Sequence, residues 1–98
     1  MMQDKAPPSD MQLEAAVLGA IMIEKDAIHQ VIDIIPSEKL FYRKSNQYVY
    51  SAIIKLFNEG SGIDVLTVME QARKDGTYDA IGGTEKASYY ISQLTIKV

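Results

Sequence analysis

"EAAVLGAIMI", residues 14–23, places one carboxylate, Glu14, ahead of nine residues that carry no charge and no side-chain hydrogen-bonding group. In a chain of formal net charge −3, such a run is a piece of membrane anchor, a strand, or a helix surrounded by protein. It falls well short of the ~18 to 20 residues that cross a bilayer. Its length and its richness in Ala, Leu and Met disfavour a strand. The helical reading extends upstream to Met11. Leu13, Val17, Ala20 and Ile21 recur at helical spacing, and Met11, Ala15, Leu18 and Met22 form a second stripe of the same period. A helix with two apolar stripes is covered on both sides, so this segment is expected to be the central helix of a bundle, or one that also meets another subunit. Gly19 inside it costs about 1 kcal/mol against alanine, which is tolerable where a neighbouring backbone comes close.

The rest of the composition agrees with a small helical domain. Ninety-eight residues with 47% hydrophobic content suit a single core. The chain has no cysteine, so disulfide and thiolate chemistry are excluded and the cytoplasm is the default compartment. The opening MMQDKAPPSD lacks the basic-then-apolar order of a signal peptide. A pI near 5.0, with basic residues spread along the chain, argues against strong direct DNA binding by phosphate neutralisation.

Working outward, residues 1–8 read as a flexible lead that ends where Ser9 or Asp10 caps the first helix. A second helix opens at Asp26, sets Ile28, Val31, Ile32 and Ile35 on one face, and stops at Pro36. Ser37-Glu38-Lys39 suits a single turn, and Leu40-Phe41-Tyr42 an apolar anchor. Ser45 or Asn46 is expected to cap the longest helix, which runs to about Glu59 with an apolar arc of Val49, Tyr50, Ile53, Ile54, Leu56 and Phe57. Gly60 and Gly62 supply its stop. Asp64 caps a fourth helix with Val65, Val68, Met69 and Ala72 facing inward, and Gly76 closes it. Gly82-Gly83 turns the chain into a last helix whose stripe is Ala87, Tyr90, Ile91 and Leu94. The fold class is therefore all-α, a small orthogonal bundle of about five to six helices around a central apolar helix.

Candidate chemistry is sparse. His29, the sole histidine, lies toward the polar side of its helix and reads as a surface residue. Metal ligation has no Cys/His cluster to use. The thirteen carboxylates read mostly as caps or solvated faces. Gly82-Gly83-Thr84-Glu85-Lys86 lacks the Gly-x-x-x-x-Gly-Lys-[Ser/Thr] order of a phosphate loop, and Arg43-Lys44 and Arg73-Lys74 are isolated basic pairs. No catalytic, cofactor or metal site is expected.

The run "PPSDMQLEAAVLGAIMI", residues 7–23, resembles the start of the N-terminal domain of the DnaB family of bacterial replicative DNA helicases. In that family two prolines precede a helix containing Glu-x-x-Val-Leu-Gly, here Pro7, Pro8, Glu14, Val17, Leu18 and Gly19. The resemblance continues through Phe41-Tyr42, Val49, Leu56, Gly60, Ile63-Asp64 and Thr67 to Gly76 and Ile81-Gly82-Gly83, and is looser beyond. Asn46 stands where the family usually has histidine, Gly62 where it often has proline, and Ala72 where leucine is common. The family's RecA-like motor, with its Walker motifs, ATP and Mg, has no counterpart in these residues.

The resemblance implies that residues 9–98 are a helicase collar and docking domain, ending near the start of a helical hairpin. Its implied role is to pair with other N-terminal domains above a hexameric motor ring and to offer surfaces to primase and helicase loaders. A free-standing helical adaptor, phage- or plasmid-like, that competes for the same partners is the alternative. A third reading is minor DNA binding through the basic pairs. The expected core is Leu13, Val17, Leu18, Gly19, Ile21, Phe41, Ile53 and Leu56. The resemblance points to Gln12, Tyr89 and Tyr90 for partner contact. Tyr90 lies on the apolar stripe, whereas Tyr89 is about 160° from Ala87 around the helix and projects away.

Overall fold

The apolar arc read between residues 45 and 59 folds as α3, Lys44–Asn58, and this helix has more buried residues than any other. The computed structural model describes residues 8–96, and side chains from residue 11. The other helices are α1 (Pro8–Ile23), α2 (Ala27–Ile34), α4 (Val65–Asp75) and α5 (Ala87–Ile96), with single 3₁₀ turns at Glu38–Leu40 and Tyr78–Ala80. No strand occurs among the described residues. Val49, Tyr50, Ala52 and Ile53 of α3 are fully enclosed. Burial of that arc by α1, α4 and the first 3₁₀ turn is one of the apolar contributions that hold the fold. The Tyr50 hydroxyl donates to the Ile35 carbonyl at 2.6 Å, and its ring lies 4.9 Å from that of Phe41, so α3 also anchors the chain leaving α2.

The first helix, expected to be central, does meet three other helices, but α3 carries more of the enclosed core. α1 packs along α5 and against α2 and α3, but it buries only Leu18, Gly19, Ile21 and Met22. Val17 is half-buried against the core. Leu13, expected in the core, is 63% exposed, and Met11 and Ile23 are also exposed. The reason is geometric: Leu13 shares the helical stripe of buried Ile21, and periodicity does not disclose where along a helix its neighbours end. α1 also begins at Pro8, ahead of the expected cap at Ser9 or Asp10. Proline suits a first helical position because its missing N–H would have no partner there. Of the expected flexible lead, residues 1–7 lie outside the described residues, and Pro8 is helical.

Local signals elsewhere fared unevenly. Asp64 accepts a hydrogen bond from the Thr67 N–H, while the Thr67 hydroxyl accepts one from the Asp64 N–H, both at 2.9 Å. This reciprocal pair is a capping box. Gly76 closes α4 in the left-handed conformation at φ +77°. Asp26 sits at the N-cap position of α2 without a side-chain cap. In the 40–42 triplet only Phe41 is buried, and Leu40 and Tyr42 face outward. The N-cap of α3 is Arg43, not Ser45 or Asn46. Both polar residues lie in the first turn and are buried, where their side chains bond to distant parts of the chain.

One of those bonds fixes the glycine turn before α5. The Gly82 N–H donates to Ser45 Oγ at 2.9 Å. Gly82 has φ +94°, and a β-carbon there would meet the Glu85 carbonyl oxygen at 3.0 Å and Tyr90 Cβ at 3.1 Å. Gly83, at φ +64°, faces open space. Gly82→Ala is therefore expected to cost about 2 kcal/mol and Gly83→Ala about 1 kcal/mol in urea unfolding. Equal costs would show that the close approach at Gly82 contributes nothing.

Candidate functional site

The three residues expected to meet a partner line one groove. Its volume is about 750 Å³ and it runs between α1 and α5. α1 contributes Met11, Gln12 and Leu13, α5 contributes Tyr89, Tyr90 and Gln93, and the start of α3 adds Arg43 and Asn46. The two tyrosines hold different positions because successive residues on a helix point about 100° apart. Tyr89 is 55% exposed, whereas Tyr90 is 7% exposed and belongs to the core. Gln12 is exposed. Leu13, misplaced as core, instead adds apolar surface to the groove.

A hydrogen-bond chain crosses three helices at the buried side of this groove. The Tyr90 hydroxyl donates to Asn46 Oδ1 at 2.6 Å. The Asn46 amide donates from Nδ2 to Glu14 Oε1 at 2.8 Å. The other carboxylate oxygen, Glu14 Oε2, accepts the backbone N–H of Tyr42, and Oε1 also lies 3.4 Å from the Arg43 nitrogen. Asn46 is 1% exposed, so these bonds replace the water it would otherwise require. The Arg43 guanidinium lies 5.3 Å from the centroid of the Tyr90 ring, within cation–π range.

Burial pushes the Tyr90 phenol above its ordinary value of 10.0; Arg43 opposes this, and the Glu14 and Glu85 carboxylates reinforce it. Burial likewise raises Tyr50 from 10.0. Both phenols are neutral donors at physiological pH. Because the folded state holds these protons more tightly, the stability they contribute is complete below pH 10.0 and is lost as pH rises through the higher folded-state values. Melting temperature is accordingly expected to fall above about pH 10, and less steeply in Tyr90→Phe. Identical alkaline profiles would contradict the assignment of Tyr90 to that loss.

The remaining candidates lie elsewhere or carry other roles. His29 is exposed and stands edge-on to Phe57, with ring centroids 5.3 Å apart. Both basic pairs cover rings of their own chain: Lys44 lies 5.9 Å from the Tyr48 centroid and Arg73 lies 4.2 Å from that of Tyr78. Besides Glu14, Asp75 departs from the solvated reading. The Asp75 side chain is 9% exposed and pairs with Lys55 at 2.9 Å, with Gln71 Nε2 donating to the same oxygen. Sequence reasoning also passed over Glu14 and Arg43 as parts of the groove region. The available signal for Glu14 was its isolation, as the sole charge ahead of a nine-residue apolar run.

Comparison with known proteins points in one direction. The family model described as "DnaB-like helicase N terminal domain" matches residues 6–97. The chain is 39% identical over 94 residues to replicative DNA helicase DnaB of Rhodothermus marinus, covering 96% of this chain and 10% of that protein. It is 38% identical over 90 residues to the DnaB of Mycobacterium leprae, covering 92% of this chain and 15% of that protein. It therefore spans only a small part of the length of these relatives. The crystal structure of the N-terminal domain of DnaB helicase from Mycobacterium tuberculosis superposes with a TM-score of 0.82 at 35% identity, covering 94% of this chain and 63% of that one.

Proposed function

Since this chain belongs to the family of DnaB-like helicase N-terminal domains, we propose that it is the assembly and docking module of a hexameric replicative helicase, and that the α1–α5 groove receives the C-terminal domain of the cognate primase. The reading is carried by one observation: Gln12, Tyr89 and Tyr90 line a common groove although up to 78 positions separate them (90 − 12). Exposed Met11 and Leu13 beside Tyr89 supply the apolar and aromatic surface typical of interface anchors. In this proposal the domain also pairs with other N-terminal domains in a collar and offers a surface to a helicase loader. ATP and Mg belong to the motor of the parent helicase, and the site of action is the cytoplasm. No described helix is long and apolar enough to cross a membrane.

Titration calorimetry with the primase C-terminal domain tests the groove. Tyr89→Ala is expected to weaken binding by about 1 to 2 kcal/mol, roughly five- to thirtyfold, with little change in melting temperature because half of that side chain already faces solvent. Unaltered affinity with an intact fold would remove Tyr89 from the docking surface.

A further inference from the structure

We propose that Glu14 is a positioning residue for the groove: acting through Asn46, it holds Tyr90 and ties both groove-forming helices to the head of α3. The consequence for affinity rests on the docking role proposed above, whereas the mechanical tie does not. A carboxylate only accepts hydrogen bonds, so Asn46 must turn its NH2 toward Glu14. Its carbonyl oxygen is then left for the Tyr90 hydroxyl, which donates. The chain consequently has a direction, from the Tyr90 hydroxyl to the Glu14 charge. The same charge takes the N–H groups of Tyr42 and Arg43 just ahead of α3, where backbone donors lack intrahelical partners. Glu14 itself is not among the residues lining the groove. It sets the groove from behind, and a shift of Tyr90 on binding must reach Tyr42 and Arg43.

Amide hydrogen exchange by NMR provides a readout independent of docking. In Tyr90→Phe, which keeps the ring and removes the donor, the Tyr42 and Arg43 amides are expected to exchange roughly three- to tenfold faster. The Val68 amide, bonded within the α4 cap, should not change. In Glu14→Gln, which keeps shape but removes the charge, primase C-terminal domain affinity is expected to fall about three- to tenfold although the residue lies outside the groove. Unchanged exchange at Tyr42 and Arg43 in Tyr90→Phe overturns the proposal whatever the affinities. Faster exchange combined with unchanged affinity in Glu14→Gln overturns the positioning role. Faster exchange in a chain whose unaltered form does not bind primase supports the tie and defeats the docking role alone.

Discussion

Asn46→Asp is expected to destabilise the chain by about 3 kcal/mol at neutral pH and to recover much of that loss on acidification. The substitution changes almost no volume. It replaces the amide that donates to Glu14 Oε1 at 2.8 Å with a group that, when ionised, only accepts. Two carboxylates then face each other at a position 1% exposed, with the Tyr90 hydroxyl as a donor on the far side. Arg43 and Glu85, of opposite sign, are the other charges acting on Tyr90. Like charges at this separation share one proton in preference to ionising together.

The direction of the pH effect follows from proton counting. Between the ordinary carboxylate range near pH 4 and neutrality, the folded variant would hold a proton that its unfolded chain has released. Stability therefore falls as pH rises through that window. The gap between parent and variant should be widest near pH 7 and close toward about pH 4. Asn46→Ala supplies the contrast: it leaves unpaired groups and a cavity, and its deficit should vary little with pH. Circular dichroism melts of both variants decide the matter. A pH-independent deficit in Asn46→Asp would mean that residue 46 does not face Glu14 in solution.

Residues 44–46 also mark the limit of what the sequence discloses. The capping box of Asp64 and Thr67 was legible because both partners lie within one turn, so the chemistry is local. The stripe of Ala87, Tyr90, Ile91 and Leu94 was legible because it falls on one face of a helix whose other face is polar or exposed, and all four residues are buried. Ser45 and Asn46 looked like caps by the same local logic. Their actual partners, Gly82, Tyr90 and Glu14, are 37, 44 and 32 residues away. Residue spacing carries no record of such partners.

α1 failed to disclose its surroundings for a different reason. Periodicity reveals an orientation only when apolar and polar faces differ, and residues 15–23 offer no difference. Leu13 and Leu18 look equivalent along the chain, yet one is 63% exposed and the other fully buried. What distinguishes them is where α5, α2 and α3 pack along α1. The groove was accessible in its parts, since family resemblance pointed to Gln12, Tyr89 and Tyr90 while helical phase separated the two tyrosines. Arg43 lines it and Glu14 sits behind it through tertiary hydrogen bonding and a cation–ring contact, which neither phase nor composition encodes.

Tyr90→Ala should separate the framework of the groove from its lip. It removes a ring that is 7% exposed, and truncating a buried aromatic costs about 3 to 5 kcal/mol through lost burial and the cavity left behind. It also leaves Asn46 Oδ1 without its donor and Arg43 without the ring it covers. For a domain of this size, even 3 kcal/mol corresponds to a fall in melting temperature of roughly 12 to 24 °C. Tyr90→Phe should lose only about 1 kcal/mol, since it keeps the ring and forfeits one hydrogen bond. At a temperature where Tyr90→Ala is still folded, it should also bind primase more weakly, because α1 and α5 lose their common tie to α3. Tyr89→Ala, by contrast, should weaken binding without a comparable loss of stability. If Tyr90→Ala melted with the parent, the hydrogen-bond chain from α5 to α1 would contribute nothing to the fold, and the groove would have to be held by its apolar contacts alone.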